Sequence, residues 1–379
     1  MPAEPSTPTK PPLPLNPQRR VVLCVGPGGV GKTTCAATLA LAAAREGKKV
    51  LVVTIDPSRR LAQALGFDAS AKPGTELEVQ LPADTAGAGT LKALLLDGKV
   101  VFDRLVRGYA SDAAAAEKIL RNPIYKATTE HLGGALEYAA MAQLRLLYDE
   151  GRHDLIVLDT PPTANALEFL AAPDRVQELV TNPAIRLLTG TGTFGARVLG
   201  IGNRVVLKAL GAVGGGQFIE ELGAFLREFS VVLSAFRERA GDFQDLLSSS
   251  ATGVILTTSA SQFSVREALA FLEVLRQRSL RVDAVVLNRM IPAFPEPPAE
   301  ERVARAVAGL EKVGAPELTA LMDAYRGIRV QGRRSLAAVQ TLARAYSSIP
   351  VWALPRREPP PNSLHELASL GDQFIRVAG

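Results

Sequence analysis

Lys32, Thr33, Asp56 and Asp159 are the side chains of this sequence whose types and spacing can do phosphoryl chemistry. Lys32 and Thr33 close the run Gly26-Pro27-Gly28-Gly29-Val30-Gly31-Lys32-Thr33-Thr34, a G-x-x-x-x-G-K-T pattern. Its glycines let the backbone N–H groups from Gly28 through Gly29 and Val30 to Gly31 turn inward around a β-phosphate. A helix beginning at Lys32 adds partial positive charge at its N-terminus. Lys32 neutralises the β- and γ-phosphates as a point charge, and Thr33 offers its hydroxyl to Mg²⁺. Asp56 and Asp159 each end an apolar run, which puts their carboxylates where a ligand crevice opens. Asp56 is placed to meet the γ-phosphate or its attacking water, and Asp159 to hold a water on Mg²⁺.

These roles hold only if the elements around them form a parallel sheet. Val21-Val22-Leu23-Cys24-Val25 before the loop, the alanine-rich stretch from Lys32 to about Glu46 after it, and Val50 to Ile55 read as strand, helix, strand. Further strands are expected at Thr90 to Leu96, Leu155 to Asp159, Gly253 to Thr258, Ala284 to Asn288 and Ile349 to Leu354. A helix from about Phe263 to Arg278 links two of them as a crossover. Asn288 ends its strand, where a carboxamide can read an adenine edge or simply make a turn. A closing amphipathic helix, capped by Asn362 or Ser363, contains Leu364, Leu367, Leu370 and Phe374.

The fold class is therefore α/β: a mostly parallel sheet flanked by helices, with a helical subdomain made by insertions at about 97–150 and 175–250. In the first insertion, Leu105, Tyr109, Leu120, Ile124, Leu132, Leu136, Met141, Leu144 and Leu147 recur at mostly three- to five-residue spacings and Asn122-Pro123 breaks the run, predicting two or three helices. The second carries Arg186, Arg197, Arg204 and Lys208 among glycines and aliphatics, with no acidic residue between Glu178 and Glu220. It reads equally as a surface for a hydrophobic client or anionic bilayer and as a lid packed on its own subdomain. Residues 1–19 are rich in proline and are expected to be a tail that buries little, with one domain over 20–379.

Composition sets limits. A net charge of +5 over 379 residues is too mild to imply nucleic acid. The two cysteines, Cys24 and Cys35, flank the glycine loop without metal-ligand spacing, which fits a reducing cytoplasm. No signal peptide and no membrane-length apolar run are expected.

The glycine loop, Asp56-Pro57, Asp159-Thr160-Pro161-Pro162-Thr163, the Val285 to Asn288 strand and the Ile349 to Pro355 strand-and-turn together resemble the arsenite-pump ATPase family, which includes ATPases that target tail-anchored membrane proteins. The resemblance runs from about Arg20 to the C-terminus. It implies a P-loop nucleotide hydrolase using ATP and Mg²⁺, with Lys32 and Thr33 on phosphate and metal and Thr34 on the α-phosphate. It also implies Asp56 positioning water, Asp159 in the metal shell, and Asn288 and Pro355 on the adenine side. A nucleotide-gated homodimer, or a heterodimer with a paralogue, follows from it, acting on a hydrophobic client or membrane partner. The expected location is the cytoplasm or the inner face of a membrane, with no nucleic-acid partner.

Three departures temper the transfer. The family's second lysine, which reaches the partner's nucleotide, falls at position 27, where this chain has Pro27. Proline has no charge, so that contact is lost, and Arg59, Arg60 or a partner's arginine are candidate replacements. Counterparts of the arsenite-binding cysteines are missing. So is the zinc-binding cysteine pair of the targeting ATPases, and there are only four methionines. Two other readings stay open: a nucleotide switch with little turnover, and a DNA-partition ATPase using the cluster Arg326, Arg329, Arg333 and Arg334. Trp352, the one tryptophan, is expected near adenine.

Overall fold

The computed structural model describes residues 13–55, 60–67, 72–82, 89–131, 135–160, 166, 169–175, 178, 225–226, 228–292, 300–309 and 315–379. A nine-stranded sheet forms its centre, in the order β3-β4-β2-β5-β1-β6-β7-β8-β9. The strands are β1 (Val21–Val25), β2 (Lys49–Thr54), β3 (Glu76–Val79), β4 (Thr90–Leu95), β5 (Leu155–Asp159), β6 (Thr252–Thr258), β7 (Val282–Met290), β8 (Val351–Pro355) and β9 (Ile375–Ala378). The seven from β4 to β8 in sheet order pair in parallel, and β3 and β9 cap the two edges antiparallel. The central strands are unbroken apolar runs because helices cover both faces.

One face is covered by α1 (Lys32–Arg45) and α10 (Leu364–Gly371). The alanines of α1 are buried almost without exception, and their small side chains let α10 come close: a Cβ on Gly371 would sit 3.5 Å from that of Ala42. The other face meets α6 (Ala135–Glu150), α7 (Gln262–Gln277), the helical residues 228–248 and the C-terminal half of α9 (Ala315–Ala345). A short helix, α2 (Arg60–Ala64), follows β2, and α8 (Glu300–Ala308) packs on α9.

The stretch after β4 is four helices, more than the two or three expected: α3 (Gly98–Tyr109), α4 (Ala113–Arg121), α5 (Pro123–His131) and α6. Asp97 and Asp112 cap α3 and α4 by accepting from the Val100 and Ala115 amides at 3.0 and 2.8 Å. Asn122 accepts from Ile124 at 2.8 Å, with Pro123 as the first residue of α5, where a missing N–H costs nothing. Of these, α3, α4 and α5 share an apolar core with Phe225, Leu226, Phe229 and Val232, in which Phe225 stacks on Phe229 and buried Tyr125 donates to Asp103 at 2.9 Å.

Three expectations change. β3 and β9 were not foreseen. Phe374 lies beyond α10, just before β9, although it is buried in the same core. Of the two caps expected for α10, Ser363 is the one used, accepting from the Glu366 amide at 3.3 Å. The leader is also not loose throughout: Leu13 and Leu15 pack on the core, and Arg19 forms a two-pronged ion pair with Asp283, 2.8 and 2.6 Å long. Apolar side chains and a guanidinium with a matched carboxylate anchor a segment that proline content alone marks as extended.

Candidate nucleotide site

The glycine loop leaves β1 and enters α1 as the strand–loop–helix order requires. Gly26 has φ +147° and runs so close to β6 that a Cβ would stand 2.0 Å from the Thr257 carbonyl oxygen. Gly31 has φ +91°, and a Cβ there would stand 2.3 Å from the Asn288 amide nitrogen. Neither position accepts a side chain, so the loop packs closely on β6 and on Asn288. The Lys32 ammonium is buried and donates to the Pro27 carbonyl at 2.9 Å, which folds the lysine back over its own loop.

A cavity of about 320 Å³ opens where the strands end. Gly29, Gly31, Lys32, Thr33 and Thr34 line it from the loop and the first turn of α1. Gln63 and Ala64 from α2, Thr160 after β5, Arg289 of β7, and Pro361 and Asn362 before α10 complete the lining. Gly28 and Val30 belong to the same loop, the first exposed and the second buried.

Asp159 is fully buried at the end of β5, where its Oδ2 accepts from the Thr54 hydroxyl at 3.1 Å. Thr160 is tied to β1 by its hydroxyl, 2.8 Å from the Cys24 carbonyl. Asp56, Arg59 and the loop 161–165 lie outside the described residues, as does the glycine-rich basic stretch 179–219.

Asn288 is placed differently from the reading as a strand-ending residue. β7 continues to Met290, and Asn288 is buried beneath the loop. Its Nδ2 donates to the Val30 carbonyl at 2.9 Å, and its Oδ1 accepts from the Arg289 amide at 2.9 Å. The carboxamide thus braces the phosphate loop. Pro355 ends β8 in register with Met290 and is not among the cavity-lining residues; Pro361 and Asn362 of the same exit segment are. Trp352 is also corrected. Strand alternation puts it with Leu354 in the core shared by α1 and α10, 6% exposed, instead of at the cavity.

Burial pushes both thiols up, Cys24 well above its ordinary value and Cys35 to about 12, so neither is a nucleophile at neutral pH. The residues suit a triphosphate with Mg²⁺. The loop and the first turn of α1 line the cavity with Lys32 beside them, and the Thr33 hydroxyl and Asp159 carboxylate are the hard oxygen donors that magnesium takes.

Residues 19–313 match the model of the anion-transporting ATPase family. The chain belongs to that family. It is 26% identical over 375 residues to ATPase BagA of Mycobacterium tuberculosis, covering 94% of each chain. An uncharacterized Streptomyces coelicolor protein is 29% identical over 384 residues, 95% of this chain and 89% of that one. ATPase get3 of Aspergillus terreus is 25% identical over 312 residues, 82% and 84% of the two chains. Membership supports a nucleotide-dependent ATPase. Within that family frame, sequence reasoning missed Arg289, Gln63, Pro361 and Asn362 as cavity residues. The one signal for Arg289 was its place next to Asn288. Among the described residues no helix is long and apolar enough to cross a membrane.

Proposed function

We propose that the chain is a Mg²⁺-dependent ATP hydrolase in which water attacks the γ-phosphorus in line, oriented by Asp56. Lys32 neutralises the developing charge, the backbone from Gly28 to Gly31 cradles the β-phosphate, and Thr34 meets the α-phosphate. Thr33 and Asp159 hold the metal, which when bound supplies charge neutralisation across the phosphates. Asn288 has one amide proton left for adenine after bracing Val30, and Pro355 directs the exit segment over the base. The observation that carries this reading is the convergence of Lys32, Thr33, Thr34 and Thr160 on one cavity at the ends of parallel strands.

In the same reading, the chain works in the cytoplasm or against the inner face of a membrane. A homodimer, or a heterodimer with a paralogue, opens and closes with nucleotide. The helical insertions at about 97–150 and 175–250 carry that movement to a hydrophobic client or membrane partner. Steady-state ATP turnover of the wild type against Lys32→Ala and Asp56→Asn tests the chemistry. Both variants are expected to lose at least about a hundredfold; equal turnover in all three refutes the assigned roles.

One observation favours a second reading. Pro27 stands where family resemblance places a lysine, and its contribution to the site is a carbonyl that holds Lys32. A nucleotide switch with little turnover of its own, rescued by a lysine-bearing partner, would use such a loop. Robust hydrolysis by the purified single chain excludes it.

A further inference from the structure

The exit of β7 contains a feature that the hydrolytic roles above leave unused. The pairing of β7 with β8 slips between Leu287 and Met290, so Asn288 and Arg289 form a bulge. Arg289 sits at φ +57°, a left-handed conformation that a long side chain seldom adopts. The bulge is held from three sides: Arg289 donates its amide to Asn288 Oδ1 at 2.9 Å, Asn288 donates to the Val30 carbonyl at 2.9 Å, and the Arg356 amide donates to the Met290 carbonyl at 3.0 Å. Bulges re-aim side chains, and conformations this sparsely populated persist where surrounding structure over-determines them. Here the result is that Asn288 turns in under Gly31 while Arg289 turns out, exposed, onto the cavity. Arg289 and Lys32 are the cavity's two cations among its described lining residues, and no carboxylate accompanies them there.

We propose that Arg289 is a nucleotide-binding residue of this chain, its guanidinium gripping the phosphates nearest the Gly31–Thr34 end of the loop, those that ADP and ATP share. A guanidinium is always charged and presents several donors in a fixed plane, which suits phosphate oxygens. Because Arg289 follows Asn288, whose amide lies against Gly31, its guanidinium meets the α- and β-phosphates and leaves the γ end to Lys32. A chain with Pro27 in place of the family lysine thereby keeps two cations of its own on the nucleotide. This rests on the nucleotide reading of the cavity.

The test is calorimetric titration of the full chain with Mg-ADP and with a non-hydrolysable Mg-ATP analogue, for wild type, Arg289→Gly and Arg289→Lys. Glycine accepts the positive φ at no steric cost, so Arg289→Gly folds at least as well as wild type and isolates the loss of the side chain. The expected result is about tenfold weaker binding of both nucleotides to Arg289→Gly, with a shallower dependence on salt. Arg289→Lys recovers part of the affinity. Wild-type binding with Arg289→Gly within twofold for both ligands overturns the proposal. So does a loss confined to the triphosphate analogue, which would put the guanidinium at the γ end. If wild type itself binds neither nucleotide, the reading of the cavity falls, and this inference falls with it for that separate reason.

Discussion

The two ends of the parallel strands are built on opposite plans. At the end where the strands begin, charges close on one another. Arg19 grips Asp283 with both prongs, and its third nitrogen reaches the Ser250 carbonyl, joining the leader to the entries of β6 and β7. The Asp154 carboxylate accepts the Lys49 amide at 2.8 Å, joining β5 to β2. At the end where the strands finish, charges and amides face a cavity or brace a loop. Lys32 leans on a carbonyl of its own loop, Asn288 braces Val30, and Arg289 stands at positive φ toward the crevice. The first end invests in matched partners and stability. The second holds backbone in conformations that only neighbouring contacts maintain, which is the arrangement expected where a ligand supplies the missing partner.

Paired glycine substitutions test this contrast most severely. Gly31→Ala must adopt φ +91° and drive a methyl to within 2.3 Å of the Asn288 amide. ATP turnover is expected to fall about a hundredfold as the loop shifts. Gly253→Ala, at the other end, would place its methyl 1.9 Å from Asp283 Oδ2 and 2.9 Å from Arg19 Nε. It should lower the melting temperature and leave nucleotide affinity within about twofold. Should Gly253→Ala abolish turnover in protein that remains folded, the two ends are not separable.

Arg19→Ala probes the closed end alone. The pair is nearly buried, with side-chain exposures of 9% and 11%. Removing one partner strands the other in a desolvated place, a loss on the order of 3 kcal/mol. Urea unfolding should show the lower midpoint, and Arg19→Ala with Asp283→Ala together should cost less than the sum of the single changes. Additive losses would mean that the bidentate geometry does not operate in solution.

Much of the exit end was legible in the sequence because its strands are apolar runs that stop at glycine or aspartate. β1, β2 and β5 follow from that pattern, and the phosphate loop follows from glycine spacing. The edges were not legible. Glu76 to Val79 and Ile375 to Ala378 are four-residue segments, too short for their period to stand out, and they become strands where β4 and β8 offer them edges to pair with. Arg289 was missed for a related reason. Its direction is set by the slip between β7 and β8, a pairing of segments some sixty residues apart, and no local periodicity records it. Trp352 shows the cost of placing a residue by its strand and ignoring parity: one position along β8 decides between the two faces of the sheet.

The smallest expected effect sharpens the contrast at the β3 edge, where closure is partial. Glu76 receives Lys92 at 3.2 Å and Arg152 at 2.9 Å, with the buried His153 ring 3.5 Å away. Burial pushes the Glu76 carboxyl up, but Lys92, Arg152 and His153 together outweigh it and hold the group below its ordinary value. A carboxyl whose folded value lies below its unfolded one stabilises the fold at every pH above the unfolded value, about 4.3, and gives that stability up as pH falls through the folded value. The contribution should therefore fade below about pH 4, and Glu76→Gln should flatten the melting temperature's decline in that window while changing it little at pH 7 relative to Arg19→Ala. The partners of Glu76 are mostly in contact with water, Arg152 being half exposed, so added salt should shrink the difference as well. If the two proteins lose stability in parallel from pH 5 to pH 3, the cluster is a surface arrangement without consequence, and the closed plan stops at the Arg19–Asp283 pair.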